Sequence, residues 1–309
     1  MHRLQQQFPA MVRLNEPLAP YSWWKIGGPA EAFVEVQNSQ QLDQVLRTLR
    51  QDALPWCLIG RGTNLLFDDA GFRGCVIKMG PGLSKISFNG DCATVEAGCW
   101  TPHVALAAAR HGLSGIEHTI GIPASFGGLI CMNGGSQRKG IGEVTESVTI
   151  LTPQGQVRTY PHGECDFAYR QSRFQESGDI VLSATLRFQT HRPYAKQRPE
   201  LLAILRERNR KFPRKLPSCG SVFKSSPELY AAYGPPGKII EDMGFKGRRA
   251  GQIEVSPLHA NFIVNLGNGS SADVLSLVNE IRQSVRDKTG VTMHPEFRYV
   301  HPTKGIVEV

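Results

Sequence analysis

Residues 121–135 read Gly-Ile-Pro-Ala-Ser-Phe-Gly-Gly-Leu-Ile-Cys-Met-Asn-Gly-Gly, the densest glycine cluster in a chain of 309 residues. A second glycine turn, residues 60–64 (Gly-Arg-Gly-Thr-Asn), follows a short apolar run at residues 56–59. Turns that present backbone N–H groups to a phosphate need glycine, because a side chain blocks the approach and a positive φ is often required. Either cluster alone is equally compatible with an ordinary tight turn. Two clusters in successive parts of the chain favour one extended dinucleotide ligand.

Hydrophobic patterning around these turns predicts an α+β protein with three lobes, at residues 1–80, 81–195 and 196–309. Strands are expected in the first two lobes, at residues 31–36, 56–59, 75–79, 92–97, 144–151 and 180–189. Helices are expected after Ser39 and Thr101, which we interpret as N-caps. A charged helix at residues 195–211 leads into the third lobe, where we expect a strand at residues 260–265 and a helix at residues 272–289.

Several site classes are excluded by spacing. Neither glycine turn matches the Gly-x-Gly-x-x-Gly or P-loop pattern. The seven cysteines form no Cys-x-x-Cys pair, and the nine histidines show no zinc-binding spacing, so we predict no metal site. An odd number of cysteines without a disulfide framework is typical of reduced thiols, which favours a cytoplasmic location.

The net charge of +8 comes from 35 Lys and Arg against 27 Asp and Glu. These basic residues are dispersed, and aromatic residues do not alternate with them, so we do not expect nucleic acid as a partner. A small anionic ligand suits the charge equally well. No stretch approaches the ~18 apolar residues of a membrane span, and the first residues lack the apolar core of a signal peptide, so no membrane partner is expected.

A set of motifs keeps a fixed order from about residue 20 to residue 300. The motifs are residues 24–30 (Trp-Lys-Ile-Gly-Gly-Pro-Ala), 59–66 (Ile-Gly-Arg-Gly-Thr-Asn-Leu-Leu), 71–74 (Gly-Phe-Arg-Gly), 112–117 (Gly-Leu-Ser-Gly-Ile-Glu), 121–135, 169–174 (Tyr-Arg-Gln-Ser-Arg-Phe), 218–224 (Ser-Cys-Gly-Ser-Val-Phe-Lys) and 259–265 (His-Ala-Asn-Phe-Ile-Val-Asn). Together they resemble the UDP-N-acetylenolpyruvoylglucosamine reductase (MurB) family, in its compact subtype.

The resemblance implies a two-lobed FAD-binding domain of the PCMH, or vanillyl-alcohol-oxidase, type and a smaller C-terminal substrate-binding lobe. Non-covalent FAD would lie between the first two lobes, and NADPH would be the hydride donor. The residues that the resemblance assigns to the cofactor are Ile26, Gly27, Gly28, Gly60, Arg61, Gly62, Thr63, Asn64, Leu65, Gly121, Ile122, Pro123, Ser125, Gly127, Gly128 and Asn133.

The activity implied by the resemblance is reduction of the enolpyruvyl group of a UDP-sugar to UDP-N-acetylmuramate, a peptidoglycan precursor. Arg170 and Glu296 would stabilise negative charge on the substrate, and Ser221 would give a proton to the enol carbon. Tyr169 and Lys224 are assigned to substrate binding. The same resemblance leads us to expect a monomer.

Three stretches depart from the family pattern. Lys224 is followed by Ser-Ser-Pro in place of Asn-Pro, residues 134–138 read Gly-Gly-Ser-Gln-Arg, and only the second glutamate of the C-terminal motif remains, as Glu296 after His294. Two alternatives therefore stay open. One is another PCMH-type flavin oxidoreductase, in which His118 would be the candidate for a covalent FAD tether. The other is a flavin-binding paralogue without reductase activity.

Overall fold

Seventeen strands and eight α-helices make up the chain, for which a computed structural model describes residues 1–309. The strands are β1 (Val12–Pro17), β2 (Pro29–Val36), β3 (Trp56–Ile59), β4 (Leu65–Phe67), β5 (Phe72–Met79), β6 (Ile86–Asn89), β7 (Cys92–Glu96), β8 (Leu113–Ser114), β9 (Thr145–Leu151), β10 (Val157–Pro161), β11 (Ile180–Arg187), β12 (Thr190–His191), β13 (Arg249–Ala250), β14 (Ile253–Val255), β15 (Ile263–Asn265), β16 (Arg298–His301) and β17 (Gly305–Val307). The helices are α1 (His2–Gln7), α2 (Ser39–Gln51), α3 (Thr101–Arg110), α4 (Phe126–Cys131), α5 (Tyr194–Lys211), α6 (Pro227–Tyr233), α7 (Pro236–Asp242) and α8 (Ser271–Thr289). This mixture confirms the α+β prediction.

The first sheet has the order β1-β2-β5-β3, with β2, β5 and β3 parallel and β1 antiparallel at the edge. Helix α2 crosses between β2 and β3 and buries one apolar face, which includes Leu42, Val45 and Leu49. Its N-cap is Asn38, whose side chain accepts a hydrogen bond from the backbone N–H of Gln41. The expected cap at Ser39 is therefore wrong by one residue.

The second sheet has the order β10-β9-β11-β7-β6 and is antiparallel throughout. Helices α3 and α4 cover it, and α3 begins at Thr101 with Trp100 as its N-cap residue, not Thr101 as the sequence suggested. Helix α5 also joins this layer, since Leu201 and Ile204 belong to the same buried cluster. The first residues of the predicted C-terminal lobe therefore pack against α3, which belongs to the predicted second lobe.

The third layer combines the small sheet β13-β14-β15 with helix α8, whose capping box is formed by Ser270 and Asp273. Its core also contains Trp24, Ile26 and Leu66 from the first part of the chain. The strand predicted at residues 260–265 is shorter in the structure, where β15 covers only Ile263–Asn265. Ser221 does not belong to any strand. None of the helices is long and apolar enough to cross a membrane.

The end of the chain returns to the first part of the molecule. Strand β16 pairs in parallel with β4 and antiparallel with β17, which gives a second small sheet of order β17-β16-β4. Both ends of the predicted C-terminal lobe thus pack against other layers, and the boundaries at residues 80 and 195 stay predictions.

Trp24 offers a test of how firmly the first and third layers are joined. Its side chain is fully buried, donates from Nε1 to the carbonyl of Ile263 at 2.8 Å and meets the Phe297 ring edge-on. We expect Trp24→Ala to lower the free energy of unfolding by about 3–5 kcal/mol because it removes a large core side chain. Trp24→Phe should cost about 1–3 kcal/mol because it leaves a buried carbonyl without a donor.

Urea unfolding measures both changes, and Trp23→Phe is the matched control because Trp23 is 40% exposed. The control should stay within about 0.5 kcal/mol of the parent. Equal losses for Trp23→Phe and Trp24→Phe would contradict the anchoring role of Trp24.

Candidate active site

The two glycine turns meet in the structure. A Cβ atom placed on Gly60 would overlap the hydroxyl oxygen of Ser125. Trp100 and Ser125 form an isolated antiparallel bridge, and the Arg61 guanidinium lies 5.7 Å from the centroid of the Trp100 ring. Gly60 and Ser125 were predicted to act on one ligand, and the fold brings them into direct contact.

Residues 60–64 leave their backbone donors free. None of their N–H groups donates to an acceptor of the protein, whereas the Gly62 carbonyl accepts from the N–H of Trp23 at 3.2 Å. Gly62 has a φ of +62°, and a Cβ there would overlap the carbonyl oxygen of Tyr21. A glycine turn whose backbone N–H groups have no protein acceptor can bind phosphate. It fits the pyrophosphate of a dinucleotide such as FAD.

At other glycines in the predicted cofactor set, contacts within the protein leave no room for a side chain, whether or not a ligand is bound. A Cβ on Gly28 would overlap the Asp69 carbonyl, and Gly27 has a φ of +142° and would place its Cβ 2.7 Å from the Cβ of Phe67. Ile26 is buried in the core of the third layer. Protein packing alone therefore accounts for residues 26–28, and their contact with the cofactor stays a prediction.

The second turn is also packed closely against protein. A Cβ on Gly127 would lie 2.7 Å from the Cβ of Ala97, and one on Gly121 would overlap the side chain of Arg208. Gly128 is exposed at the start of α4. Four of the remaining assigned residues are half-buried: Thr63, Leu65, Ile122 and Pro123. Their assignment to the cofactor is a prediction as well.

Asn133 uses its side chain to hold other segments. Its Nδ2 donates to the carbonyl of Ala168 at 2.8 Å, and its Oδ1 accepts from the N–H of Gly142 at 2.9 Å. Its φ of +40° is unusual for a residue other than glycine. Asn133 therefore connects the end of the second turn to the segment that precedes Arg170.

Arg170 and Glu296 form an ion pair between two distant parts of the chain. The Arg170 Nε donates to the Glu296 Oε1 at 2.6 Å, and Nη2 donates to the Gly135 carbonyl at 3.2 Å. The two side chains are only 20% and 16% exposed. Burial raises the pKa of Glu296, and the charges of Arg170 and Lys224 lower it in part. Burial and the two cations thus act on the pKa of Glu296 in opposite directions, and burial has the larger effect.

Ser221 lies on a segment that is tied to Glu296. The backbone N–H of Glu296 donates to the Val222 carbonyl at 2.7 Å, and the Val222 N–H donates to the Asn261 carbonyl at 2.8 Å. The side chain of Asn261 exchanges two further hydrogen bonds with the backbone of Phe223. Asn261 belongs to the motif at residues 259–265, and its structural role is to fix this segment.

Two other side chains that could take part in chemistry, Cys219 and His118, are buried. Burial raises the pKa of Cys219 well above that of an ordinary thiol, so Cys219 is not a thiolate nucleophile. His118 is buried, its Nε2 has no hydrogen-bond partner, and burial lowers its pKa.

Arg208 is a residue that motif analysis missed. Its Nε donates to the Gly121 carbonyl at 3.1 Å, and its guanidinium lies 5.0 Å from the centroid of the Phe212 ring. Burial and the charges of Arg214 and Arg170 lower its pKa to about 10. Arg208 forms no salt bridge, so α5 adds an uncompensated cation beside the second turn. Its place on a charged helix gave no sequence signal, because such helices commonly face solvent.

The departures from the family pattern lie on one rim. Arg138 donates to the Tyr230 hydroxyl at 3.3 Å, and the Ser225 N–H donates to the Tyr169 hydroxyl at the same distance. A cavity of about 310 Å³ opens beside them and is lined in part by Lys224, Ser225, His294 and Arg298. Tyr169 and Lys224, both assigned to substrate, therefore border a single cleft, next to Arg170.

Comparisons with known proteins agree with this geometry. Residues 30–160 match the family profile described as FAD binding domain, and residues 212–300 match that of the UDP-N-acetylenolpyruvoylglucosamine reductase C-terminal domain. A reductase of that name from Corynebacterium glutamicum is 39% identical over 297 residues, which cover 96% of this chain and 88% of the relative. One from Streptococcus agalactiae is 37% identical and covers 94% of both chains.

The chain belongs to the UDP-N-acetylenolpyruvoylglucosamine reductase family. The crystal structure of the MurB protein from Thermus caldophilus superposes with a TM-score of 0.77 at 30% identity, covering 93% of this chain and 97% of that one. As a MurB family member the chain contains an FAD-binding domain, which confirms the predicted cofactor class.

Gly60→Ala tests whether the contact between the two turns shapes the flavin site. Gly60 does not have a positive φ, so the added Cβ acts only through its overlap with Ser125. We expect the dissociation constant of FAD to rise at least about tenfold, equivalent to ~1.4 kcal/mol. Titration of apoprotein with FAD, followed by flavin fluorescence, measures the change.

Gly163→Ala is the control, because nothing lies within 4 Å of its added Cβ. Because Ser125 is also assigned to the cofactor, the rescue is judged against Ser125→Gly alone: Gly60→Ala should cause no further loss of FAD affinity in that background. Unchanged FAD affinity in folded Gly60→Ala protein would show that this contact does not shape the flavin site.

Proposed function

We propose that the protein reduces the enolpyruvyl group of UDP-N-acetylglucosamine enolpyruvate to UDP-N-acetylmuramate with electrons from NADPH. The observation that supports this most strongly is the buried Arg170–Glu296 pair beside the Ser221 segment. An unsaturated carboxylate needs a cation at its carboxylate and a proton donor at its carbon when it is reduced. Arg170 would supply the cation and Ser221 the proton donor, within a chain that has an FAD-binding domain.

Bound FAD would supply hydride chemistry, taking a hydride from NADPH and giving it to the vinyl carbon distal to the carboxylate. Residues 60–64 would hold its pyrophosphate through their free N–H groups.

Arg170 would stabilise the charge that develops on the substrate. Hydride addition turns the carboxylate side into an enolate, and a fixed donor aimed at such charge can contribute ~3 kcal/mol to the barrier. The guanidinium is bound through Nε to Glu296 and through Nη2 to Gly135, so Nη1 has no partner within the protein and can bind the incoming carboxylate. Glu296 fixes the orientation of that group.

Ser221 would give the proton to the carbon next to the carboxylate. Its hydroxyl has no hydrogen-bond partner in the protein, and Gly220 before it has a φ of +90°. Serine is a weak acid, so a nearby cation must stabilise the alkoxide that remains. Lys224, three residues further on, is close enough to Glu296 to lower its pKa and is the candidate for this role.

We further propose that the chain acts as a monomer in the cytoplasm. Arg170, Ser221 and Glu296 come from one chain, so no second copy is needed to complete the site. Both proposed substrates are phosphorylated metabolites of the cytoplasm, and all seven cysteines are free.

Ser221→Ala separates the two half-reactions. Because the serine acts only after the flavin has been reduced, bleaching by NADPH should keep nearly the parent rate. Reoxidation by the enolpyruvyl UDP-sugar should slow by roughly 10²–10⁴-fold, the range for loss of a general acid. Stopped-flow absorbance measures both steps on one preparation.

Ser221→Cys should recover part of the reoxidation rate, since a thiol also donates a proton. Ser87→Ala, on the exposed side of β6, is the control and should match the parent in both steps. A selective loss of the NADPH step would contradict the role of Ser221. If the parent protein is not reoxidised by the enolpyruvyl UDP-sugar, the proposed activity is wrong.

Glu296 predicts a link between pH and substrate affinity. The substrate carboxylate places a second negative charge near a carboxyl group whose pKa is already raised by burial, so the complex should bind one more proton than the free protein. Binding must then strengthen as the pH falls, by up to about tenfold per pH unit, until the pH reaches the pKa of free Glu296.

Calorimetry in buffers of different ionisation enthalpy would measure this proton uptake. The isosteric variant Glu296→Gln has no proton to gain, so its uptake should fall by up to one proton relative to the parent, with the largest difference at a pH between the pKa values of Glu296 in the free protein and in the complex. Equal uptake in the two proteins would remove Glu296 as the linked group.

A further inference from the structure

The backbone of Arg170 is held in a conformation that its residue type disfavours. Tyr169 and Arg170 form the tip of a tight turn, in which Ala168 and Gln171 exchange two backbone hydrogen bonds of 3.1 Å. Arg170 has a φ of +56°, in the left-handed region that favours glycine. A side chain that must meet Glu296 accurately therefore starts from a strained backbone, which needs support from outside the turn.

The side-chain amide of Gln175 supports the Arg170 backbone from outside the turn. Its Nε2 donates to the Arg170 carbonyl at 3.0 Å and to the Cys131 carbonyl at 3.1 Å. Both amide hydrogens are thus used, one on the strained residue and one on the end of α4. The Cys131 carbonyl also accepts from the Ser172 hydroxyl at 2.6 Å, so two side chains that follow Arg170 fix this segment to the end of α4.

Arg298 determines which way the Gln175 amide faces. The Arg298 Nη2 donates to the Gln175 Oε1 at 2.8 Å. Arginine has only donors, so the amide must turn its oxygen to Arg298 and its NH₂ to the two carbonyls. Arg298 is itself fixed, since its Nη1 lies 2.9 Å from Glu308 and its side chain is 19% exposed.

From these contacts we propose that Gln175 is a positioning residue for Arg170, oriented by Arg298. This inference rests on the proposed function and deepens it. Glu296 and Arg298 lie two residues apart in the sequence. One fixes the guanidinium of Arg170, and the other fixes its backbone. Glu296 binds the guanidinium directly, and Arg298 acts on the backbone through the Gln175 amide. In this role Gln175 acts through Arg170 and not on the substrate itself.

The central experiment is a double-mutant cycle on the rate of flavin reoxidation by the enolpyruvyl UDP-sugar. Gln175→Leu should slow this step by about 10–100-fold, the effect of a misplaced catalytic group, and leave bleaching by NADPH unchanged. In an Arg170→Gly background the same substitution should have almost no further effect, because the residue that it positions is gone. Gln40→Leu, on the exposed face of α2, is the matched control.

A second variant gives a signature that a merely structural role would not produce. Gln175→Glu keeps a partner for Arg298, but its carboxylate repels the two carbonyls when it is ionised. The reoxidation rate relative to the parent should be low at neutral pH and should rise as the pH falls, because a protonated carboxyl donates one hydrogen bond to a carbonyl. If Gln175→Leu fails to fold, Gln175→Glu still tests the positioning role.

The outcomes separate this inference from the proposed function. If the parent is reoxidised by the enolpyruvyl UDP-sugar and Gln175→Leu matches it, the positioning role is wrong while the activity stands. The positioning role would also be overturned if Gln175→Leu slowed reoxidation by the same factor in the Arg170→Gly background as in the parent. A rate of Gln175→Glu relative to the parent that does not change with pH would overturn it too. A parent that is not reoxidised would overturn the proposed activity itself.

Discussion

The parallel pairing of β4 with β16 is the contact on which the site depends. Asn64, the last residue of the first glycine turn, donates from Nδ2 to the Glu296 carbonyl at 3.0 Å and accepts from the Arg298 N–H at 2.9 Å. The first glycine turn, which we assign to the cofactor, and the segment that bears Glu296, which we assign to the substrate, are therefore one hydrogen-bonded unit. Displacement of either segment would change the distance between cofactor and substrate, to which reaction rates are very sensitive.

Charge in the cleft is unbalanced in a way that suits an anionic substrate. Arg170 and Lys224 both lie close enough to Glu296 to lower its pKa, and Arg208 lies near Arg170 and forms no salt bridge. Buried cations without partners are unfavourable for folding, since desolvation disfavours their charged form. Their presence together at one cleft, when the other basic residues are dispersed over the surface, favours a ligand with several negative charges. A UDP-sugar that also bears a carboxylate fits that requirement.

Motif order predicted the family, hydrophobic patterning predicted the α+β class, and a short apolar run placed strand 56–59 with its observed limits. The glycine clusters predicted one shared ligand, and the structure adds that the two turns are in direct contact. Helix starts were wrong by one residue where two candidate caps are adjacent, because the choice between Asn38 and Ser39 depends on which one reaches Gln41. Gln175 and Arg208 could not be predicted. Their side chains donate to backbone carbonyl groups, which give no sequence signal, and two of these carbonyls, at Cys131 and Gly121, are far away in sequence.

The departures from the family pattern concern the rim of the cleft more than its centre. Ser226 caps α6 by accepting from the Leu229 N–H, and Pro227 follows as the first helical residue, so the altered Lys-Ser-Ser-Pro segment is a normal helix start. Arg138 in the second altered segment contacts Tyr230 on that same helix. The two changes thus meet through α6, whereas Arg170, Glu296 and Ser221 match the family motifs. Selection on the chemical step and on recognition of the rest of the substrate would act on different residues here, and the rim is where this chain differs.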